Sequence, residues 1–310
     1  MLSRIMNNHT RVLSLPELHY FEKYPSQIKG DEKQLVLAAM YLLRIINKGY
    51  YNTSDLHQYE DEAKSLIKVA MVETYGELYG AVLLHIAVQR KVDYLCEQTP
   101  QNIFYTDDIK SIFPDAKFIH IIRDPRDVLL SQKRKWKRFS QGAKFIPIHE
   151  TIRAYFNYHP YTISKIWNSV VSKALSEKIY TLRFEDILKH PRESIMGLCE
   201  EVGLSYEKDL ELVHITGSSS NRDSEKKGIN TSRAGAWQVG GLNTAELFIC
   251  QKTTASCAQP FNYNFKKVFP NPILLILYVV YSPFQLLIAV LLNLRRQRNI
   301  WSAIKRRLQL

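Results

Sequence analysis

The segment FIHIIRDPRDVLLSQ, residues 118–132, constrains the fold more than any other part of the chain. Its first five residues are typical of a strand buried on both faces, as in the parallel sheet of an α/β protein. The charged residues that follow predict a helix, because Asp124 suits the N-cap position and Pro125 suits the first helical position. The segment therefore predicts a buried strand that passes directly into a helix.

The start of this helix is a candidate anion-binding site. Its exposed backbone N–H groups and positive dipole end attract an anion, and open α/β sheets bind ligands beyond the carboxyl ends of their strands. We expect Arg123 to point into this crevice and Ser131, about two turns into the helix, to present its hydroxyl to the same side. One guanidinium and one hydroxyl would then hold a phosphate. Residue types alone equally allow Arg123 to pair with a nearby carboxylate.

Short β-prone runs alternate with helical patterns along the chain, which predicts an α/β fold with a parallel sheet. The β-prone runs are residues 12–15, 92–96, 118–122 and 179–182. The helical patterns are residues 31–49, 75–89, 103–113, 148–175 and 192–202. The segment 215–237 is polar, rich in serine and punctuated by glycine, and it predicts a long loop.

Several blocks of the sequence resemble PAPS-dependent sulfotransferases, where PAPS is 3′-phosphoadenosine 5′-phosphosulfate. RDPRDV at 123–128 with Ser131 is similar to the motif in which a strand-end arginine and a helix serine bind the nucleotide 3′-phosphate. Residues 2–21, 97–136, 180–204 and 229–237 are similar to successive blocks of that family. The resemblance implies a P-loop NTPase-like fold, a three-layer parallel sheet flanked by helices, with a nucleotide-binding domain over residues 1–265.

The same resemblance implies an activity and the rest of the site. Sulfonate would pass from PAPS to a hydroxyl or amine of a carbohydrate, lipid or peptide. Glu17 is the first candidate for the general base and His19 the second, since imidazole titrates near neutral pH; a Glu17 that merely faces solvent is the alternative. The loop at 215–237 would cover the nucleotide, unless it is a surface loop without a ligand. Its candidates for contact with phosphate or adenine are Lys226, Lys227, Arg233 and Trp237.

Two departures from the family pattern concern the donor site. The family has a Gly-rich loop for the 5′-phosphosulfate, preceded by a first strand, upstream of the helix that here reads MLSRIMNNHT. Relatives often carry lysine where Gln98 stands in EQTP. We therefore expect a chain that is N-terminally truncated and weakly active or inactive, lacking the first strand and phosphate loop. The alternative is a non-catalytic nucleotide-binding or membrane-surface protein.

The charge and the cysteines limit the partners. A formal charge of +12 favours an anionic partner such as nucleotide, acidic acceptor, nucleic acid or membrane lipid. The cations of KRKWKR at 133–138 surround an aromatic residue, but no nucleic-acid-binding motif accompanies them, which favours a solvated helix face or the rim of the donor pocket. No metal site is predicted, because the four cysteines lack paired metal-ligand spacing. Free thiols are expected, although Cys250 and Cys257 are close enough for a disulfide in an oxidising compartment.

The C-terminal segment, residues 266–310, is predicted to be a separate apolar and basic helical region. Its apolar stretch approaches the about 20 residues of a membrane span, and Pro283 and Gln285 interrupt it. A span, a hairpin or interfacial helix on anionic headgroups, and a helix pair packed on the protein's own core all remain open. The expected location is cytoplasmic or peripheral membrane, with the Golgi lumen as a further alternative.

Overall fold

A computed structural model describes residues 1–138, 147–212 and 234–293. These residues form two compact units. Unit 1 contains residues 1–118 and 202–212, and unit 2 contains residues 119–138, 147–201 and 234–293. Both units combine α-helices with short parallel strands, so the predicted α/β class is confirmed.

Unit 1 is built around two long helices. In chain order its elements are α1 (Leu2–Met6), β1 (Val12–Ser14), α2 (Glu32–Lys48), α3 (Glu60–Ala70), α4 (Tyr75–Arg90), β2 (Tyr94–Cys96) and α5 (Thr106–Ile112). Leu35, Leu42 and Leu43 of α2 and Leu78 and Ile86 of α4 are fully buried in one apolar core. Burial of such side chains is the main force that holds these helices together.

Capping interactions define both ends of α2. The Asp31 side chain accepts a hydrogen bond of 2.8 Å from the backbone N–H of Gln34. Gly49 ends the helix with a φ of 85°, a conformation that favours glycine. The helices predicted at 31–49 and 75–89 are both confirmed.

The strands of unit 1 pair in parallel. Val12 lies opposite Tyr94 and Ser14 opposite Cys96, and the Leu15 N–H donates to the Cys96 carbonyl at 2.9 Å. The strands predicted at 12–15 and 92–96 are therefore present, slightly shorter than predicted. The chain leaves β1 at its carboxyl end into the segment PELHYF.

Unit 2 has a second parallel pair of strands among its helices. Its elements are β3 (Ile119–Ile122), α6 (Pro125–Lys133), α7 (Ile148–Phe156), α8 (Pro160–Ser176), β4 (Tyr180–Arg183), α9 (Phe184–Lys189), α10 (Pro191–Val202), α11 (Thr244–Ala258) and α12 (Pro272–Asn293). Ile119 pairs with Tyr180 and Ile122 with Arg183. Ile122 is buried with Trp167 and Val171 of α8 and with Ala258 of α11.

Within the described residues the strands form two separate two-stranded sheets, β1–β2 and β3–β4. The parallel direction of each pair agrees with the sequence-based expectation. The single three-layer sheet, the missing first strand and the missing phosphate loop remain predictions.

One helical prediction needs correction. The pattern at 148–175 is divided into α7 and α8, because Pro160 begins a new helix at its first position. Pro283 and Gln285, which interrupt the apolar stretch in the sequence, do not end the helix, since α12 runs through both residues. The Gln285 Nε2 donates to the Phe156 carbonyl at 3.1 Å, at the end of α7. Its amide group is thereby paired, and α12 belongs to unit 2.

Candidate functional site

The junction between β3 and α6 has the predicted strand-to-helix form. Asp124 caps α6, with its Oδ1 accepting from the Arg126 backbone N–H at 2.9 Å, and Pro125 is the first helical residue. The Asp124 N–H in turn donates to Glu185 Oε1 at 2.9 Å, and Glu185 Oε2 accepts from the Tyr263 hydroxyl at 2.7 Å. The buried Glu185 of α9 therefore fixes the exit of the neighbouring strand. Sequence reasoning missed this residue, and FED directly after β4 was its only local signal.

Arg126 is a buried structural cation. Its Nε and Nη2 donate to the two carboxylate oxygens of Asp124 at 2.9 and 2.7 Å. Its guanidinium carbon lies 3.9 Å from the centroid of the Trp237 ring and 4.9 Å from that of Phe265. The two charges neutralise each other inside the unit, so Arg126 stabilises the junction and is not placed to attract a ligand.

Asp127 holds the end of the predicted 215–237 loop. Its side chain is fully buried, and its oxygens accept from the backbone N–H groups of Gly235 at 2.8 Å and Trp237 at 2.9 Å. Gly235 has a φ of 74°, which favours glycine there. The chain that returns from the loop is therefore attached to the first turn of α6.

The sequence left two alternatives open for Arg123: an exposed side chain available to an anion, or a pairing with a nearby carboxylate. The structure shows features of both. Its Nη2 lies 3.4 Å from Asp127 Oδ2, so it does contact a carboxylate. That contact is long for a hydrogen bond, and the Asp127 oxygens also accept two backbone hydrogen bonds. The Arg123 side chain remains 25% exposed, with its guanidinium 4.6 Å from the ring centroid of Phe184. A cation thus remains accessible at the carboxyl end of β3.

The other predicted donor-site residues divide between described and undescribed parts of the chain. Ser131 is half-buried within α6. Trp237 is attached to the start of α6 through Asp127, and its Nε1 is buried without an acceptor among the described residues. Three predicted residues lie outside the described residues: Lys226, Lys227 and Arg233.

The basic cluster at 133–138 is only partly a solvent-facing feature. Lys133 Nζ donates to Glu246 Oε2 at 2.8 Å, and the Glu246 side chain is fully buried. Glu246 Oε1 accepts from the hydroxyls of Tyr158 at 2.7 Å and Tyr278 at 2.9 Å. Lys133 therefore joins α6 to α11, whereas Lys135, Trp136 and Lys137 are exposed.

The exit of β1 in unit 1 is held by side chains that follow β2. Thr99 Oγ1 accepts from the backbone N–H groups of Leu18 at 2.8 Å and His19 at 3.1 Å. Glu97 Oε1 accepts from the backbone N–H groups of Leu18 and Thr99, both at 3.1 Å. Burial raises the pKa of Glu97, although these hydrogen bonds oppose the shift. Gln98, between the two, is exposed.

Glu17 and His19 form an ionisable group at this exit. His19 has a φ of 51°, and its Nε2 lies 3.2 Å from Glu17 Oε2 and its Nδ1 2.8 Å from Glu22 Oε1. Burial lowers the pKa of His19, but the hydrogen bonds to both carboxylates outweigh it and raise the pKa to about 9. At neutral pH the imidazole is therefore a cation between two carboxylates, and the Glu17 side chain is 51% exposed.

The cysteines and the potential metal ligands were considered as further components of the site. Cys96, Cys199, Cys250 and Cys257 are all free thiols. In the three described ranges, no group of three or more His, Cys, Asp or Glu side chains is arranged to hold a metal ion.

Comparison with known proteins connects these features to one family. A family model described as "Sulfotransferase family" matches residues 1–208. The chain is similar in structure to the sulfotransferase domain of the Synechococcus PCC 7002 olefin synthase, with a TM-score of 0.56 and 16% identity over 86% of this chain and 90% of that chain.

A second solved structure, the sulfotransferase domain from the curacin biosynthetic pathway, has a TM-score of 0.53 and 17% identity, over 86% of this chain and 93% of that chain. At these identities the two structures establish the fold alone. No curated protein sequence matches the chain.

Proposed function

The chain belongs to the sulfotransferase family, and from that premise we propose that it transfers a sulfuryl group from PAPS to a hydroxyl or amine of an acceptor. The proposed acceptor is a carbohydrate, lipid or peptide. The S–O bond to the donor phosphate breaks, an S–O or S–N bond to the acceptor forms, and adenosine 3′,5′-bisphosphate (PAP) leaves. The acceptor loses one proton, so the protein must bind an anionic nucleotide and accept that proton.

The observation that carries the proposal is the junction between β3 and α6. Asp124 and Asp127 are used in capping α6 and in anchoring Gly235 and Trp237, which leaves Arg123 partly exposed at the strand end. We assign the 3′-phosphate of PAPS to Arg123 and Ser131. A phosphate bound there would also face the N-terminus of α6, whose dipole favours an anion.

The returning loop supplies the remaining donor contacts in this proposal. Trp237 contacts the adenine, and the cations of the loop contact the donor phosphates. This assignment is supported by the pair of hydrogen bonds by which Asp127 attaches Gly235 and Trp237 to α6. The assigned cations are Lys226, Lys227 and Arg233.

Glu17 is the proposed general base. A protonated imidazole has no lone pair to accept a proton, and with a pKa of about 9 His19 is protonated at neutral pH. The His19 cation instead holds the Glu17 carboxylate through the contact of 3.2 Å. Glu17 is thus the proton acceptor, and His19 is a positioning residue.

Donor binding is tested by the thermal shift that PAP produces in the full chain. Wild type and Arg192→Ala, which removes an exposed arginine of α10, should both be stabilised, by about 2.7 kcal/mol at a ligand concentration 100 times Kd. Arg123→Ala should lose this shift. Equal shifts in wild type and Arg123→Ala would remove Arg123 from the donor site.

Turnover is tested separately with radiolabelled PAPS and a panel of carbohydrate, lipid and peptide acceptors. Glu17→Gln should lower kcat while PAP binding is retained. A nucleotide-binding protein without turnover is the second candidate function, favoured by the uncharged and exposed Gln98. Normal PAP binding without transfer to any acceptor in the panel would support that second function.

A further inference from the structure

Helix α12 carries a continuous apolar stripe on the surface of unit 2. Its 22 residues include no charged side chain, its most apolar stretch has a mean hydropathy of 2.3, and Gln285 is the only buried residue of the helix. The stripe consists of Ile273, Leu277, Val280, Phe284, Leu287 and Leu291, each more than half exposed. Spacings of four and three residues place these side chains on one face of the helix.

The other side of α12 is fastened to unit 2 by polar side chains. The Tyr278 hydroxyl donates to Glu246 Oε1 at 2.9 Å, and Gln285 Nε2 donates to the Phe156 carbonyl at 3.1 Å. Asn293 Nδ2 donates to Asn157 Oδ1 at 3.0 Å. By the 3.6-residue repeat, Tyr278, Gln285 and Asn293 lie away from the stripe.

These attachments decide how α12 can meet a membrane. They extend from Tyr278 to the last residue of the helix, so α12 cannot cross a hydrocarbon layer of about 30 Å without taking its partners along. One partner is the buried carboxylate of Glu246, and Arg153 Nη1 donates to Asn293 Oδ1 at 3.0 Å. Moving these charged groups into hydrocarbon is costly. A helix that lies along the surface avoids this cost.

Basic residues follow α12 in the sequence and also occur on a turn that α7 connects to α12. Helix α7 packs against α12 and also against the basic turn Lys135–Arg138. Trp136 of that turn packs edge-on against Tyr155 of α7, with ring centroids 6.0 Å apart. The sequence after α12, residues 294–310, contains six Lys or Arg residues and no Asp or Glu. Cations and tryptophan beside an apolar face are typical of contact with anionic headgroups.

We propose that the stripe of α12 is an interaction surface for an anionic phospholipid bilayer, with the helix lying in the plane of the membrane. The apolar side chains enter the outer acyl region, and the flanking cations contact the headgroups. A bilayer is favoured over a second copy of this chain because both copies would carry the same +12 charge and the same basic clusters. The proposal does not depend on sulfotransferase activity.

Liposome flotation of the full chain tests the proposal. The chain is synthesised with phosphatidylcholine liposomes, with and without phosphatidylserine, and is separated on a density gradient. Wild type should float, and more so with phosphatidylserine. Val280→Asp/Leu287→Asp should remain at the bottom, whereas Val88→Asp, which charges a similarly exposed valine of α4, should float. A wild type that does not float, or a stripe variant that floats equally, overturns the proposal.

A second variant keeps the test decisive if the stripe variant misfolds, which circular dichroism would reveal. Lys135→Glu/Lys137→Glu should lose the gain that phosphatidylserine produces and should still float on phosphatidylcholine. An unchanged gain contradicts the assigned role of these cations. A dimer that forms without lipid and excludes liposomes would assign the stripe to a second copy and overturn the proposal.

The orientation is tested with Phe269→Cys and Gln297→Cys, which flank α12. A membrane-impermeant maleimide added outside sealed liposomes should label both positions, with the parent chain giving the background of the native thiols. Protection of one position until detergent is added would show a spanning helix and would overturn the in-plane arrangement.

Discussion

The exits of β1 and β3, meaning the segments that follow these strands, start with similar sequence features but adopt different structures. Each is a short parallel strand followed closely by proline, Pro16 in unit 1 and Pro125 in unit 2. After β3 the chain becomes α6, because Asp124 caps the helix and Pro125 suits its first position. After β1 the chain stays irregular, since the N–H groups of Leu18 and His19 bind Thr99 instead of a helical carbonyl.

The two exits also treat charge differently. In unit 2, Asp124, Arg126 and Asp127 are buried, and each is paired with an opposite charge or with backbone N–H groups. In unit 1, Glu17 is half exposed beside the His19 cation. Buried charges fix geometry but are costly to leave unpaired. Exposed charges contribute little to stability and remain available for chemistry.

The largest effect is expected for Asp127→Ala. It leaves the N–H groups of Gly235 and Trp237 without their acceptor and removes the carboxylate that Arg123 contacts. We expect a loss of about 3 kcal/mol in the free energy of unfolding, measured with urea. The control Asp186→Ala, at a side chain 45% exposed, should change stability by less than about 0.5 kcal/mol. Similar losses in the two variants would mean that the buried carboxylate has no special role.

Thr99→Val tests the exit in unit 1. It keeps the shape of the side chain but removes the oxygen that accepts from Leu18 and His19. We expect a loss of about 2 kcal/mol in the free energy of unfolding. Thr53→Val, at an exposed threonine, is the control and should be nearly neutral. A neutral Thr99→Val would show that other contacts hold this exit.

The pH dependence of stability should report the His19 cation. Its folded pKa of about 9 exceeds its ordinary value of 6.5, so its contribution is complete below about pH 6.5 and is lost as pH rises through about 9. Between these limits wild type should lose about 1–2 kcal/mol more than His19→Gln. Parallel profiles for the two proteins, measured by urea unfolding at several pH values, would contradict the assigned pKa.

The smallest stability effect is expected for Glu17→Gln. Its side chain is half exposed, so the free energy of unfolding should change by less than about 0.5 kcal/mol. Sulfuryl transfer should nevertheless fall by about 100-fold or more if Glu17 is the general base. Full activity in this variant would exclude Glu17 as the base. The segment after β1 would then have no assigned role in catalysis.

The parts of the fold that could be predicted depend on neighbours in sequence. Asp124 and Pro125 identified the start of α6, and the helical pattern at 31–49 identified α2. Helix α11 was missed, although Asn243 and Glu246 form a capping box at its start. Its many Thr, Ser and Cys residues leave no clear helical period of apolar residues. The sequence pattern therefore did not predict this helix.

Contacts between distant residues could not be predicted from local patterns. The guanidinium of Arg126 contacts the rings of Trp237 and Phe265, which are far along the chain. Gln285 looked like a polar break in an apolar run, but its partner is a carbonyl at the end of α7. For the same reason Arg123 was identified as a candidate, whereas Asp127 as the anchor of Gly235 was not.

The carboxylate of Glu246 links two parts of unit 2 that have different tasks. One of its oxygens binds Lys133 of α6 and the other binds Tyr278 of α12. Both donors share a single buried negative charge, so weakening either contact changes the strength of the other, and their energies do not add. If the proposed membrane contact displaces Tyr278, we therefore expect a change in the contact of Lys133, the last residue of the helix that begins at the proposed nucleotide site.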